Sequence, residues 1–175
     1  MPPHQKAMII TLKEYDNGGK IEVYQMVDQT TGDFDRIYAC CDYFAKQGKI
    51  TLIMPRFDVT ISNPDYWKIY TFLKDTPYWG RCPDFLVNGV WYEHEGYDET
   101  KDFSSHPKKR ANTFSKMVQR GIKQSDRIIV EDCGVGYFFA RRTIYKRVRF
   151  ENQNITEVYI RTATSLELLY KKEEG

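Results

Sequence analysis

Three carboxylates, Asp84, Glu93 and Glu95, stand on either side of the dipeptide Asn88-Gly89. Asn-Gly between apolar runs favours a two-residue turn with positive φ at both central residues. Phe85–Val87 and Val90–Glu95 are therefore expected to form a tight hairpin. Such a turn sets Val87 opposite Val90, Leu86 opposite Trp91, Phe85 opposite Tyr92 and Asp84 opposite Glu93. Side chains alternate along a strand, so Glu93 and Glu95 share a face and Asp84 joins them there. Opposed β-carbons lie about 4.5–5.5 Å apart, where like charges destabilise each other.

A divalent cation would reverse the sign of that interaction. Mg²⁺ or Mn²⁺ would take Asp84 and Glu93 as ligands, together with waters and a substrate phosphate. The ion would lower the pKa of a bound water, leaving Glu95 to orient or deprotonate it. The alternative is an exposed acidic sheet face with Lys101 or Lys116 as counter-ion. His94 points the other way by alternation and is expected as a core or surface histidine, not a ligand.

The net charge of +2 is unevenly spread. Residues 103–150 hold 12 Lys/Arg against Asp126, Glu131 and Asp132, a local charge of +9 that leaves −7 elsewhere. An anionic polymer gripped by the basic part fits this asymmetry. Lys116, Arg120 and Lys123 line the polar face of one expected helix. Arg141, Arg142, Lys146, Arg147 and Arg149 crowd another. Tyr137, Phe138, Tyr145 and Phe150 interleave with the second set, and are expected as core before stacking platform. Phosphate contacts of this kind give sequence-independent, salt-sensitive affinity.

The elements that must position these residues follow from periodicity. Residues 7–12 and 21–27 are expected as strands around Asp16-Asn17-Gly18-Gly19. Asp33–Gln47 is a helix with Phe34, Ile37, Tyr38, Cys41, Phe44 and Ala45 on one face, stopped by Gly48. Ile50–Met54 reads as a strand buried on both faces. A short helix starts at Asn63-Pro64-Asp65 and runs to about Leu73. After the carboxylate hairpin, 97–107 is a polar loop. Pro107–Gln124 is a helix burying Ala111, Phe114, Met117, Val118, Gly121 and Ile122. Arg127–Glu131 is a strand, Gly136 to about Arg149 a helix, and 155–161 with 166–171 a closing hairpin. The fold class is α/β (α+β), a mixed central sheet flanked by helices. Residues 1–30 are expected as an N-terminal strand extension, and 31–175 as one compact domain.

No apolar run approaches the roughly 18 residues of a membrane span, and no signal-peptide layout is expected. Cys40, Cys41, Cys82 and Cys133 show no metal or disulfide spacing and read as free thiols in a reducing cytoplasm.

The stretch Arg81-Cys82-Pro83-Asp84 through Trp91-Tyr92-Glu93-His94-Glu95 resembles the Pro-Asp…(Asp/Glu)-x-Lys signature of restriction-endonuclease-like nucleases. More narrowly it is similar to the tRNA-nuclease domain of contact-dependent growth-inhibition toxins and to relatives on bacterial mobile elements. Lys123-Gln124-Ser125-Asp126-Arg127-Ile128 looks like that group's stretch entering a strand. Glu157-Val158-Tyr159-Ile160 and Leu168-Leu169-Tyr170-Lys171-Lys172 also fit. The resemblance covers about residues 35–172, in patches. It implies Asp84 and Glu93 as metal ligands, Gln124 as an active-site residue at a helix end, tRNA as substrate and a cognate immunity protein as partner. The sequence departs from the pattern where Glu95 replaces the lysine that would steady a hydroxide.

The expected function is metal-dependent hydrolysis of nucleic-acid phosphodiesters, with RNA and tRNA foremost. The rival is a non-catalytic nucleic-acid- or partner-binding protein of a mobile element on the same fold.

Overall fold

The computed structural model describes residues 8–98 and 106–173. Lys101 and most of the expected polar loop lie outside them. The chain divides into two compact units, Met1–Trp91 and Tyr92–Gly175.

The first unit opens with β1 (Ile9–Glu14) and β2 (Lys20–Tyr24), an antiparallel pair with a register shift between Thr11 and Lys13. Both strands run closer to the turn than expected. Tyr15 N–H donates to Gly19 O at 2.8 Å and Gly18 N–H to Tyr15 O at 3.0 Å, so pairing continues right up to the loop. Helix α1 (Gly32–Ala45) is capped by Thr31, whose side chain accepts from Phe34 N–H. It buries Phe34, Cys40, Cys41, Phe44 and Ala45. The helix carries the chain over to β3 (Ile50–Ile53), which pairs parallel with β2 and antiparallel with β4 (Phe85–Val87). The first 30 residues thus supply two strands to the sheet of this unit.

Gly19 has a specific steric duty. A β-carbon there would lie 1.7 Å from the Ala45 carbonyl oxygen, so the end of α1 can pass only over a residue without one.

The other side of the first unit is aromatic. Helix α2 (Pro64–Ile69) is capped by Asn63 and followed by a 3₁₀ turn at Thr71–Leu73, so the expected single helix to 73 is broken at Tyr70. Tyr66, Ile69, Tyr70, Leu73 and Tyr78 cluster with Tyr24 and Met54, with Leu86 and Trp91 packed against them.

The second unit is formed by β5 (Val90–Glu95, entering from the first unit), α3 (Pro107–Gly121), β6 (Arg127–Glu131), α4 (Tyr137–Glu151), β7 (Glu157–Arg161) and β8 (Leu166–Lys171). β5, β6 and β7 run parallel, each linked to the next through a helix, and β8 returns antiparallel to β7. Phe114, Met117, Val118 and Ile122 from α3 and Ala140, Ile144 and Val148 from α4 pack on Ile128, Val130, Val158, Ile160 and Leu169. Both helices therefore cover one sheet face.

Among the described residues no helix is long and apolar enough to cross a membrane. All four cysteines are free thiols.

Candidate nucleic-acid interface and carboxylate strand

The Asn-Gly turn forms as its residue types require. Asn88 has φ 48° and Gly89 φ 80°, the double positive φ of a type I′ turn. Asn88 also brackets the start of β3: its N–H donates to Ile50 O at 2.8 Å, and its Oδ1 accepts from Ile50 N–H at 2.9 Å.

Asp84 lies one residue before β4, with its carbonyl still accepting from Met54 N–H at 2.9 Å. The loop that delivers it is fastened by two stacked tyrosines of the aromatic cluster, whose ring centroids are 4.9 Å apart. The Tyr66 hydroxyl donates to Arg81 O at 2.6 Å and accepts from Gly80 N–H at 2.8 Å. The Tyr70 hydroxyl lies 2.7 Å from Pro55 O and 3.1 Å from Pro83 O. Asp84 itself is 8% exposed, and its Oδ1 accepts from Arg56 Nη2 at 3.2 Å.

Glu93 and Glu95 belong to the second unit. In β5 they pair with Ile128 and Val130, and so share the face covered by α3. Glu93 is 3% exposed. Glu95 Oε2 accepts from Arg120 Nε of α3 at 3.2 Å. The next residue on that helix, Gly121, leaves room for this: a β-carbon there would lie 3.1 Å from Glu95 Cγ. Gln124 lies beyond α3, half-buried, with its N–H closing the helix on Gly121 O at 2.9 Å.

A divalent cation needs carboxylate oxygens that converge and are not already committed to cations. Asp84 and Glu95 each hold an arginine. Among the described residues no group of three or more His, Cys, Asp or Glu side chains could hold a metal ion.

His94, on the reverse face of β5, meets partners that short-range sequence patterns could not reveal. Its Nε2 lies 3.2 Å from Glu131 Oε1, which also accepts from Arg161 Nε at 2.8 Å. Burial alone would push the Glu131 carboxyl up, but the bonds from His94 and Arg161 outweigh it and hold the group below its ordinary range. Beside this group the Tyr92 hydroxyl donates to Glu157 Oε2 at 2.8 Å. Burial, and then that bond, push its pKa well up, so it stays a neutral phenol.

The basic helices divide into structural and available cations. Helix α4 carries two rows spaced four residues apart that matter here. Ala140, Ile144 and Val148 form the buried row. Arg142, Lys146 and Phe150 lie along a cleft of about 710 Å³ between α3 and α4, which Asn112 and Ser115 line from the α3 side. Arg147 braces the same cleft: its Nη2 donates to Ser115 Oγ at 2.8 Å and its Nη1 pairs with Glu151 at 2.9 Å. Arg120 is held by Glu95. Lys116, Lys123, Arg141, Arg142 and Lys146 are exposed, and among the described residues neither Arg142 nor Lys146 pairs with a carboxylate.

The aromatics of α4 correct the expectation of core. Phe138 is 80% and Phe150 73% exposed, and Tyr137 and Tyr145 are exposed too. The small and β-branched row at 140, 144 and 148 already fills the contact with the sheet, so the larger rings are turned out to the flanks.

The chain matches no family model, no curated protein and no solved structure at a significant level.

Proposed function

We propose that this chain binds nucleic acid through the cleft between α3 and α4. The observation that carries the reading is the row Arg142–Lys146–Phe150, two cations that pair with no carboxylate among the described residues, followed by an exposed ring. Its charge suits a phosphate backbone, and the stretch 103–150 that builds α3 and α4 carries a formal charge of +9, which attracts a polyanion. Fluorescence anisotropy with labelled RNA across a salt series tests it. The expected result is affinity that falls steeply with salt and weakens on Arg142→Ala with Lys146→Ala. Equal, salt-independent affinity in the variant would reject the reading.

A second reading adds chemistry: hydrolysis of nucleic-acid phosphodiesters on a restriction-endonuclease-like core, with tRNA as first substrate and Mg²⁺ or Mn²⁺ as cofactor. The placement of Glu93 and Glu95 on one face of β5, with Glu93 buried, favours it. Under this reading an immunity protein would be the natural partner. Incubating the protein with a tRNA pool, with and without Mn²⁺, separates the two: metal-dependent cleavage lost in Glu93→Gln supports the enzyme, and binding without cleavage leaves the binding module.

A further inference from the structure

Resting on the nucleic-acid reading above, we infer that a second groove, between α4 and β8, receives an unpaired nucleotide of a single strand. This groove, of about 730 Å³, is lined by Tyr145, Arg149 and Phe150 from α4 and by Tyr170, Lys171 and Lys172 from β8 and beyond. Lys146 and Phe150 line both grooves, so one strand can cross α4 at these two side chains without leaving the cationic surface.

The chemistry of the groove differs from that of the first cleft. Tyr145 stands edge-on to Tyr170, ring centroids 5.0 Å apart, and leaves part of its surface in water. The guanidinium of Arg141 lies 5.5 Å from the Tyr145 centroid, and that of Arg149 lies 5.5 Å from the Phe150 centroid. Lys172 Nζ donates to Gln153 O at 3.2 Å and closes one end. Against Lys146, Arg149, Lys171 and Lys172 the lining sets a single acid, Glu173. Cations that frame exposed rings match a ligand that alternates phosphates with flat aromatic bases. A duplex presents its phosphates but keeps its bases stacked inside, and would use only the first of these features.

The test compares a short labelled single-stranded RNA with a blunt duplex of the same sequence, both by anisotropy at low salt. Phe150→Ala should weaken the single strand about tenfold and leave the duplex within about twofold. Phe150→Trp should keep single-strand affinity, and its added fluorescence should be quenched by the single strand and not by the duplex. Equal losses for both ligands, or binding without quenching, would overturn the groove assignment while leaving nucleic-acid binding in place. A wild type that binds neither ligand would overturn the broader reading, and this one with it. Retained circular dichroism shows that each variant is folded.

Discussion

Glu95 and Arg120 form an ion pair of 3.2 Å at the place where the resemblance calls for a lysine. The glutamate therefore has a structural role independent of any chemistry. Arg120 is largely exposed and the pair is screened on that side, so Arg120→Ala should cost only about 1 kcal/mol. Glu95→Lys sets a second cation against Arg120 and should destabilise by a similar amount. The exchange Glu95→Lys with Arg120→Glu should recover most of the loss. A double-mutant cycle in urea measures this, and additive losses would remove the pair as the cause.

Acid should loosen the second unit through Glu131. Its folded carboxyl is held below the ordinary value of 4.5 by His94 and Arg161, after burial is overcome. A depressed carboxyl contributes its stability above the unfolded pKa and loses it as pH falls through the folded one. The melting temperature should thus drop as pH is lowered below about 4.5, and Glu131→Gln should flatten that limb. At neutral pH, Arg161→Ala should cost about 3 kcal/mol, since it leaves a buried carboxylate short of its main cation. An unchanged acid limb in Glu131→Gln would assign the loss to other groups.

Gly19→Ala should be among the costliest small substitutions in the first unit. A β-carbon 1.7 Å from the Ala45 carbonyl cannot be absorbed by turning a side chain. Either the end of α1 or the β1–β2 turn must move, at about 3 kcal/mol. Gly18→Ala meets no neighbour within 4 Å, but φ 91° there brings its own backbone penalty, so Gly32→Ala, with open space around it, is the better control. Comparable midpoints for Gly19→Ala and Gly32→Ala would show that the approach is looser than this.

Arg142→Ala with Lys146→Ala should reduce the slope of log affinity against log salt for single-stranded RNA by about 1.4, one counterion release per cation removed. Arg147→Ala should do something different. That residue ties Ser115 to Glu151, so its loss should lower the melting temperature before it alters the slope. If both variants change slope and stability alike, the division into structural and available cations fails.

Much of the fold was legible because its signals are local. The apolar spacing from Phe114 to Ile122 and the Asn88-Gly89 dipeptide report their own backbone conformation, and the helices and the turn follow. Strand ends near Gly18 and Gly19 were misread because the hydrogen bonds of Tyr15 carry pairing further into the turn than composition suggests. The partners of the carboxylates were not legible at all. Arg56 for Asp84, Arg120 for Glu95 and Arg161 for Glu131 are each more than twenty residues away, and no periodicity links them. Repulsion among acids is easy to see in a sequence, whereas the distant guanidinium that relieves it is not. The exposed rings of α4 were missed for a related reason: the modest Ala140–Ile144–Val148 row suffices for the core, and composition alone gives more weight to Phe and Tyr.

Within the second unit each strand lies beside the strand that follows it in the chain, with one helix or one short loop between. Each parallel pairing there closes over a single helix, Glu93 with Ile128 and Ile128 with Val158, so no loop longer than one crossover has to be closed at a time. As the chain leaves the ribosome, β5 can find β6 once α3 has emerged, and β7 can find β6 once α4 has. The cationic helices would then be laid onto the growing sheet one at a time, each shielding apolar strand surface before the next strand is made.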